Sequence, residues 1–380
     1  MDILQYTQKH NEYRKRVREF VKNEVTPFAD QWEKDRIVPK SVWRKMGEKG
    51  FLCPTIAPEY GGQGLDFLYA VILAEETIRC NQSGLSSSMH SDIIVPYVNL
   101  YGSEKQKKKY LPKCVSGEII TAVGMSEPGA GSDLASIQTT AVEEGDEIVI
   151  NGSKIFISNG INCGLIVLAA KDPLEKNPYK AISMYLIEAD TPGFEKANKL
   201  DKMGLYAQDT AELFFSKCRI PKENLLGQKG KGFYMLMEKL QQERLIIALQ
   251  SLATVEYIFD QTIEHCKATS VSGIPISKSQ ANQFALVEMA TEVKIARTFM
   301  DKLITEHIDG KNVVIETSMA KYWITEMAKK VTEQCLEFHG KSGLLNNNHI
   351  ARAFRDARVM TIVGGTTEIM KSIIGNFLGL

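Results

Sequence analysis

The sequence lacks an excess of either charge, because Lys and Arg together number 46 and Asp and Glu together also number 46. A general affinity for nucleic acid therefore has no bulk electrostatic support. The sequence also lacks an uninterrupted apolar run of about 18–20 residues, the length that a membrane-spanning helix requires. Its first residues, MDILQYTQKHNEYRKR, contain no apolar stretch of the kind found in secretory signals. These absences argue against a nucleic-acid-binding or membrane-spanning protein.

Cysteine is scarce and irregularly placed. The seven cysteines are odd in number and scattered, and none forms a CxxC motif or pairs with histidine at metal-binding spacing. The pattern predicts neither a disulfide framework nor a zinc site, and we expect no bound metal. It favours a reduced, intracellular compartment, so a cytoplasmic location is the expectation.

The length of 380 residues is too great for one simple core and predicts two or three domains. Helical periodicity characterises the first 120 residues, as in the spacing of Val17, Phe20 and Val21. From residue 121 the segments LIVLAA, AISMYLIE and AELFF are typical of strands, and helical periodicity returns after GQKGKGF (227–233). We therefore predict an α+β fold: a helical domain at 1–120, a compact β domain at 121–230 and a helical bundle at 231–380.

Two local signals make sharper predictions. Ser103 and Gln106 have capping-box spacing and predict a helix start within SEKQKKKYL. The lysines of that segment are expected to form a solvated helix face, with a docking patch for an acidic partner as the minority interpretation. Asn151-Gly152, between β-branched runs, predicts a hairpin turn.

The first candidate binding segment is MSEPGAGSD, residues 125–133. Gly129 and Gly131 allow backbone N–H groups to approach a ligand, and Ser126 and Ser132 add hydroxyl donors, which suits an oxygen-rich ligand such as a pyrophosphate. The segment does not lie in a strand–loop–helix unit, so it is neither a P-loop nor a dinucleotide fingerprint. A tight loop stabilised by its own Asp and Ser side chains is an equally good interpretation.

The second candidate is Glu243, which lies on an apolar helical stripe. Phe233, Leu236, Leu240 and Ile247 are spaced by three, four and seven residues, and Glu243 falls between the last two. A carboxyl group buried on such a stripe has a raised pKa and is a better base near neutral pH. The alternative is a glutamate at the edge of the stripe that pairs with Lys239 one turn earlier.

The third candidate is IVGGTTEIMK, residues 362–371. Its two glycines precede Thr366 and Thr367, and Glu368 follows in what is predicted to be the first turn of a helix. A helix start with free N–H groups can receive a carbonyl oxygen or a phosphate. A routine helix start after a tight turn explains the same pattern equally well.

Five segments, in order along nearly the whole chain, resemble the acyl-CoA dehydrogenase family: MSEPGAGSD, IFISNG, KMGLYAQDTAELFF, QQERL and IVGGTTEIM. The pattern is most similar to that of the long-chain members. The resemblance implies an N-terminal helical domain, a central β-barrel-like domain and a C-terminal four-helix bundle. It also implies bound FAD, a homo-oligomer (tetramer or dimer) and α,β-dehydrogenation of an acyl-CoA thioester, in which a base takes the α-proton and flavin N5 takes the β-hydride.

The resemblance also implies site residues, which match family positions one by one. Those expected to bind FAD are Val123, Met125, Ser126, Gly131, Ser132, Phe156, Ser158, Gln280, Gly340, Thr366 and Glu368. Those expected to contact substrate are Ser132, Tyr234, Arg244, Gly364 and Gly365. For Arg244, an ordinary helix-surface arginine is an equal alternative.

The catalytic base departs from the commonest family pattern. Most members carry it in a Tyr-Glu-Gly-Thr sequence, but here Gly364 stands in place of the glutamate. The long-chain and isovaleryl members instead carry the base on the preceding helix, at the position that Glu243 matches. The apolar stripe and the resemblance thus indicate the same residue. The resemblance implies that a ribityl hydroxyl and a backbone N–H near Gly364 polarise the thioester carbonyl.

A second departure concerns the adenine end of the cofactor. Family members have arginine and phenylalanine where this chain has Thr269 and Ser272, and their Gln-x-x-Gly-Gly segment is Glu-Phe-His-Gly-Lys at 337–341. The resemblance implies that these positions hold the FAD tail across a subunit interface. We therefore expect weaker FAD binding than is usual in the family.

Two other functions stay open from the sequence. The first is a dehydrogenase or oxidase of an acyl or aminoacyl group tethered to a carrier protein, whose acidic surface would meet Lys105, Lys107, Lys108 and Lys109. The second is a non-catalytic or DNA-associated protein on the same scaffold, which the zero net charge disfavours. The electron acceptor would be an electron-transfer flavoprotein or oxygen.

Overall fold

The computed structural model describes residues 3–79, 82 and 84–380. Its N-terminal part is helical and includes two π-helical turns, Val21–Val25 and Met89–Ile94. The six helices are α1 Gln8–Phe20, α2 Ala29–Asp35, α3 Lys40–Glu48, α4 Phe67–Ile78, α5 Val95–Tyr101 and α6 Glu104–Val115. Ten of the twelve residues of α4 are buried, because other helices surround it. This explains why apolar residues lie on nearly all of its sides. The Ser103–Gln106 capping box opens α6, as predicted.

The middle of the chain forms one eight-stranded sheet with the order β6-β7-β3-β2-β4-β5-β8, in which β1 pairs with β4 in parallel. The strands are β1 Thr121–Gly124, β2 Thr140–Glu144, β3 Glu147–Ser158, β4 Leu165–Lys171, β5 Ile182–Glu188, β6 Phe194–Lys199, β7 Thr210–Pro221 and β8 Leu225–Leu226. A short helix, α7 Pro178–Ala181, connects β4 to β5. Central strand β4 is buried on both faces from Leu165 to Ala170, which explains its continuous apolar run.

The predicted hairpin turn at Asn151-Gly152 is wrong. Strand β3 runs unbroken through both residues, and the turn to β2 lies at 145–146, just before β3 begins. Gly152 has a φ of 147°, and a Cβ atom there would lie 2.6 Å from the Cα atom of Thr139. The register of β3 with β7 shifts between Ile150 and Gly152, and Thr139 lies close to the backbone there. A glycine is needed because no larger residue fits.

The C-terminal part is a helical bundle. Its helices are α8 Gly232–Ala268, α9 Gln280–Ile308, α10 Val314–Phe338, α11 His349–Met360 and α12 Thr367–Phe377, with a small hairpin, β9 Ser270–Val271 and β10 Ile274–Pro275, after α8. Leu245, Leu249 and Leu252 of α8 share one core with α4, α9 and α10. The predicted α+β class and its three-part order are confirmed. The boundaries at 120/121 and 230/231 stay predictions.

Helix α8 is the element that joins the three parts and positions the site. It packs against α4 and the π-helical turn Met89–Ile94 on one side, and against α9 and α10 on the other. The π-helical turn in turn reaches the sheet, since the His90 ring lies 2.8 Å from the Thr121 hydroxyl of β1. Over the described ranges, no helix is both long and apolar enough to cross a membrane.

Candidate active site

Glu243 is buried in the first third of α8, as its place on the apolar stripe predicts. Glu243 is only 8% exposed, and its Oε2 atom has no hydrogen-bond partner among the described residues. Burial raises the pKa of this carboxyl to about 7, and the positive charges of Arg244 and Lys321 oppose that rise. A carboxyl group with these properties is suited to take a proton near neutral pH.

The competing ion pair between Glu243 and Lys239 is not formed. The Lys239 ammonium instead lies 6.0 Å from the centre of the Tyr101 ring, a cation–π distance. Tyr97 is the aromatic residue that faces Glu243, since the pKa of its buried hydroxyl is raised first by burial and then by the Glu243 charge. Its hydroxyl also has no hydrogen-bond partner within the described part of the chain.

The Gly364-Gly365 segment lies directly against the Glu243 carboxyl. A Cβ atom on Gly364 would be 3.5 Å from Glu243 Oε1 and 2.4 Å from Ile247 Cδ1. Both glycines have positive φ angles, 66° and 110°, which favour glycine strongly. None of the described hydrogen bonds uses the N–H groups of Gly364, Gly365 or Thr366. Three successive free N–H groups beside a buried carboxyl form a site for a polarised oxygen.

Two buried cations hold this glycine segment from behind. Arg244 is 4% exposed, and its Nε atom donates to the Gly364 carbonyl at 3.4 Å while Nη1 donates to the Ser318 hydroxyl at 3.3 Å. Lys321 is fully buried, and its Nζ atom donates to the Gly365 carbonyl at 2.5 Å. The alternative interpretation of Arg244 as a surface arginine is wrong, because the packing of α8 on α10 buries it.

The sequence reasoning missed Lys321. It lies on the inner face of α10 among Thr317, Ser318, Ala320 and Thr325, all of them buried. Because these neighbours are small or polar, they give no apolar stripe of the kind that drew attention to Glu243. A usable signal was the lack of an acidic residue three or four positions away on α10, where a surface lysine commonly finds a partner.

A second group of predicted residues meets where β1 and β3 end. The Ile155 N–H donates to the Ser126 carbonyl at 3.0 Å, which aligns the segment from Val123 to Ser126 with the end of β3. At a bulge in β3, Phe156 has a φ of 61° and a side chain 66% exposed. A bulky residue in the left-handed region is strained, and such strain is concentrated at functional sites. The exposed ring provides a flat apolar surface for a planar ligand.

A buried ion pair supports the same segment from below. Lys154 Nζ lies 2.7 Å from Glu127 Oε1 and 3.1 Å from the Met125 carbonyl oxygen, with both charged side chains at least 95% buried. The Glu127 carboxylate also accepts the backbone N–H groups of Gln138 and Thr139. The loop is thus shaped from inside the protein, by a carboxylate and a lysine that the sequence reasoning did not single out.

The glycines of this loop face solvent. Gly129 and Gly131 have no atom within 4 Å of a hypothetical Cβ, so the packing of the chain itself does not require glycine there. Gly131 and Ser132 are exposed, and no described hydrogen bond uses their N–H groups. Asp133 and Ser136 do close a turn of their own just after it. Bare backbone donors in a loop whose first residues align with the Phe156 strand fit a planar cofactor with a phosphate tail.

The remaining predicted residues make no described contact with the Glu243 carboxyl. Tyr234 is nine positions earlier on α8, about 13 Å away on the opposite face, and lines a cavity of about 510 Å³ with Tyr101, Lys231 and Glu238. Thr366 caps α12 through its hydroxyl, which accepts from the Ile369 N–H, and Glu368 follows, exposed, in the first turn. Ser158 donates to Gln208 Oε1 at 3.3 Å.

Gln280 and Gly340 lie toward the far end of the bundle. Gln280 begins α9, beyond the C-terminal end of α8, and Gly340 follows α10. His339, next to Gly340, approaches Thr262, which is 19 positions, or about 28 Å, along α8 from Glu243. Both Gln280 and Gly340 are exposed at this end of the bundle, remote from Glu243.

The altered adenine-end positions surround a histidine stack. Thr269 caps α8, with its hydroxyl 3.3 Å from His265 Nε2, and Ser272 has a φ of 53° in the β9–β10 turn. The His265 and His339 rings stack at 4.0 Å, and burial lowers the pKa of His339 to about 4. Over residues 3–79, 82 and 84–380, no cluster of His, Cys, Asp or Glu has the arrangement of a metal site.

Three family models match the chain in order: acyl-CoA dehydrogenase N-terminal domain over residues 7–118, middle domain over 122–218 and C-terminal domain over 230–379. The mitochondrial long-chain specific acyl-CoA dehydrogenase of Sus scrofa is 41% identical, and the match covers 97% of this chain and 86% of that protein. A crystal structure of acyl-CoA dehydrogenase from Geobacillus kaustophilus is 50% identical, with a TM-score of 0.97 over 99% of both chains. The structure of the prolyl acyl carrier protein oxidase AnaB is 29% identical, with a TM-score of 0.91 over 99% of this chain and 100% of that one.

Proposed function

The chain belongs to the acyl-CoA dehydrogenase family, and from that premise we propose that it removes the α- and β-hydrogens of an acyl-CoA thioester with Glu243 as the base. As a member it is an FAD-dependent oxidoreductase that acts on CH–CH bonds. The observation that carries the proposal is the buried Glu243 carboxyl, whose Oε2 atom is unpaired beside the Gly364-Gly365 segment.

Glu243 takes the α-proton of the substrate, and the glycine segment makes that proton acidic enough to be removed. The free N–H groups of the segment from Gly364 to Thr366 donate to the thioester carbonyl oxygen as negative charge develops there. Burial keeps the Glu243 carboxylate poorly solvated, so it accepts the proton readily. Gly364 lacks a side chain, so no second carboxylate lies at the commoner base position.

FAD would lie along the segment from Val123 to Ser132, with Phe156 and Ser158 at its ring and the exposed Ser132 near its phosphates. When bound, the flavin accepts the β-hydrogen of the substrate as a hydride. Three features support this assignment: the exposed ring of Phe156, the strained backbone at that residue, and the unpaired N–H groups of Gly131 and Ser132. The His90–Thr121 contact and the Gln242 side chain, which donates to the Asp92 carbonyl at 2.5 Å, link this segment to α8 beside Glu243.

The test is a thioester panel with the purified FAD-loaded protein. Saturated straight and branched acyl groups are presented as CoA thioesters and, matched in acyl group, on a phosphopantetheinylated carrier protein. Under anaerobic conditions we expect CoA thioesters to reduce the flavin and to yield the 2-enoyl product. If no thioester reduces the flavin, the proposed reaction is wrong.

Dehydrogenation or oxidation of a carrier-bound acyl or aminoacyl group is the second candidate. The likeness to AnaB, a prolyl acyl carrier protein oxidase by name, supports it. The lysines of α6 give weaker support to a carrier-protein substrate than the sequence suggested. Most of these lysines already form ion pairs with acidic residues of this chain. Lys105 pairs with Glu223 at 2.6 Å and Lys109 with Glu188 at 2.5 Å. We therefore favour CoA as the carrier of the acyl group.

A homo-oligomer is part of the proposal. Gln280 and Gly340 lie at the end of the bundle remote from Glu243, and we propose that they contribute to the cofactor site of another subunit. Large apolar side chains are exposed in the same end of the bundle: Val271 65%, Ile274 62%, Phe284 59%, Val287 62% and Ile295 54%. Burial of such a surface favours association with a second copy.

We propose a cytoplasmic location and an electron-transfer flavoprotein or oxygen as electron acceptor. The six cysteines in the described part of the chain are buried free thiols, which suits a reducing compartment. The chain is similar, at 33% identity and with a TM-score of 0.94, to a structure of the electron transferring flavoprotein of Acidaminococcus fermentans.

The rate of substrate-dependent flavin reduction is expected to rise with pH through about 7 and then to level off. Burial raises the pKa of Glu243 to about 7, so below that pH the carboxyl carries a proton and does not act as a base. Single-turnover rates between about pH 5.5 and 9 give the profile, with FAD content measured at each pH as the control. An acid limb near the ordinary glutamate value would contradict the assigned burial of the base.

FAD binding is expected to tighten when Thr269 is changed to arginine. A charge-assisted hydrogen bond is worth about 1.5–3 kcal/mol, so the dissociation constant should fall by roughly ten- to hundredfold. The measurement is a titration of FAD-depleted protein, with the apparent melting temperature rising as binding tightens. Thr269→Met, of similar length but uncharged, is the matched control. Weaker binding in Thr269→Arg, or a wild-type protein that keeps FAD at nanomolar concentration, would show that another cation holds the phosphates.

A further inference from the structure

We infer that Lys321 is a positioning residue for the reaction: together with Arg244 it holds the carbonyl groups of Gly364 and Gly365, and so aims the N–H groups of this segment at the thioester oxygen. The inference rests on the proposed function of the Glu243 site. Glu243 takes the proton, and Lys321 aligns the N–H groups that bind the thioester oxygen.

The burial of Lys321 needs an explanation beyond packing. An ammonium group loses its hydration when it is buried, at a cost of several kcal/mol, whereas methionine would fill the same space in α10 without that cost. Lys321 is 0% exposed, and the one described hydrogen bond of its ammonium group goes to the Gly365 carbonyl. Glu243 is the acid whose charge acts most strongly on Lys321, and the ion pairs of the described residues include none to Lys321. The lysine is therefore retained for a backbone carbonyl at the site and not for an ion pair.

The peptide planes convert this contact into alignment of the site. In a trans peptide, the C=O and N–H groups of one plane point in opposite directions. The bond from Lys321 to the Gly365 carbonyl therefore turns the Thr366 N–H away from α10. The bond from Arg244 to the Gly364 carbonyl turns the Gly365 N–H away from the Arg244 side chain on α8. Two adjacent glycines with positive φ would otherwise be the most flexible part of the site.

The charge of Lys321 also acts on Glu243. The groups that face the base are Arg244 on α8, Lys321 on α10 and Tyr97 on α5. Lys321 in turn feels Arg244, Glu326 and Glu368, and burial lowers its pKa to about 8. The Glu326 carboxylate is already engaged by Thr367 and Lys329. Because an adjacent cation favours the ionised carboxylate, loss of Lys321 must raise the pKa of Glu243 further.

The test compares Lys321→Met with Lys330→Met in the FAD-loaded protein. Lys330 is on the same helix, is 56% exposed and pairs with Glu292 on α9, so its loss should change nothing at the site. For Lys321→Met we expect kcat to fall by at least roughly thirtyfold, KM to change by less than about threefold, and the acid limb of the rate profile to move to higher pH. Lys330→Met should match the wild type in all three.

A purely structural role for Lys321 would give a different pattern. Activity would then fall only in proportion to the folded, FAD-bound fraction, and the pH profile would not move, which would overturn the inference. If Lys321→Met does not fold, Lys321→Arg serves instead: it keeps the charge but changes the reach, so it should keep the acid limb in place while lowering kcat. An Arg variant with wild-type kcat would also overturn the positioning role. Failure of the proposed function is distinct, because the wild-type flavin would then not be reduced at all.

A measurement without turnover gives independent support. A carboxyl whose folded pKa is raised destabilises the fold as pH rises from its unfolded value of 4.5 to its folded value of about 7. The melting temperature of Glu243→Gln should lack that component. If Lys321 lowers the Glu243 pKa, the component extends to higher pH in Lys321→Met than in the wild type. The same window in both proteins would count against the inference.

Discussion

Changing Glu243 to glutamine is expected to abolish substrate-dependent flavin reduction while the fold and the bound FAD are retained. Glutamine keeps the size of the side chain but cannot accept the α-proton, and Gly364 provides no carboxylate in its place. The rate should fall by roughly three orders of magnitude or more, since the reaction loses its base. The measurement is the bleaching of the flavin absorbance near 450 nm after rapid anaerobic mixing with an acyl-CoA that the wild type oxidises.

Glu264→Gln is the matched control for this variant. Glu264 is on the same helix, but its side chain is 70% exposed and pairs with Lys267. Stability gives a second check, because Glu243 is destabilising when ionised and buried, so Glu243→Gln should melt no lower than the wild type above about pH 7. A variant that kept more than about a tenth of the wild-type rate would have lost only about 1.4 kcal/mol of transition-state stabilisation, and Glu243 would not be the base.

Glu243 was predictable because its position depends on local periodicity. The spacing of Leu236, Leu240 and Ile247 gives one face of a helix, and the face that packs on the rest of the protein is the apolar one. The same reasoning predicted a helical bundle at 231–380, where the structure has five helices. Periodicity says which side of a helix is buried, and a carboxyl on that side has a raised pKa wherever the helix packs.

Features that depend on distant parts of the chain were not predictable. Asn151-Gly152 has the residues of a tight turn, but Gly152 is required by the approach of Thr139, the residue just before β2. Lys321 meets Gly365 only because α10 and the segment before α12 pack together. The position of Tyr234 on the opposite face of α8 follows from its nine-residue separation from Glu243, a spacing that the resemblance alone did not consider.

The glycine at 364 is also explained only by the structure. With a φ of 66° and Ile247 Cδ1 at 2.4 Å from a hypothetical Cβ, the position tolerates no side chain without movement of Ile247. Glu243 extends from α8 into the space beside this glycine. The base on the helix and the glycine in the loop are therefore two parts of one packing arrangement, and a carboxylate cannot simply be returned to position 364.

Changing Lys154 to methionine is expected to cause the largest loss of stability among these variants and to weaken FAD binding. Lys154 is the buried partner of Glu127 and also donates to the Met125 carbonyl. Burial alone would raise the pKa of Glu127, but Lys154 and the backbone donors of Gln138 and Thr139 hold it below its usual value. Without the lysine, Glu127 becomes a buried carboxylate with no opposite charge, which costs about 3–5 kcal/mol.

The variant also removes the bond that fixes the backbone just before Ser126, so the loop that would lie along FAD is no longer held. Urea unfolding of FAD-depleted protein gives the stability change, and titration with FAD gives the affinity. Lys171→Met is the control, since Lys171 is on β4, two strands away in the sheet, and donates to the Gln138 side chain near the surface. The decisive comparison is with the double variant Lys154→Met, Glu127→Gln, which removes the unpaired buried charge of Glu127. Stability should largely return in the double variant, while FAD affinity stays low because Met125 is still unsupported. If the double variant is as unstable as the sum of the single variants, the cost lies in packing and the buried pair does not shape the loop.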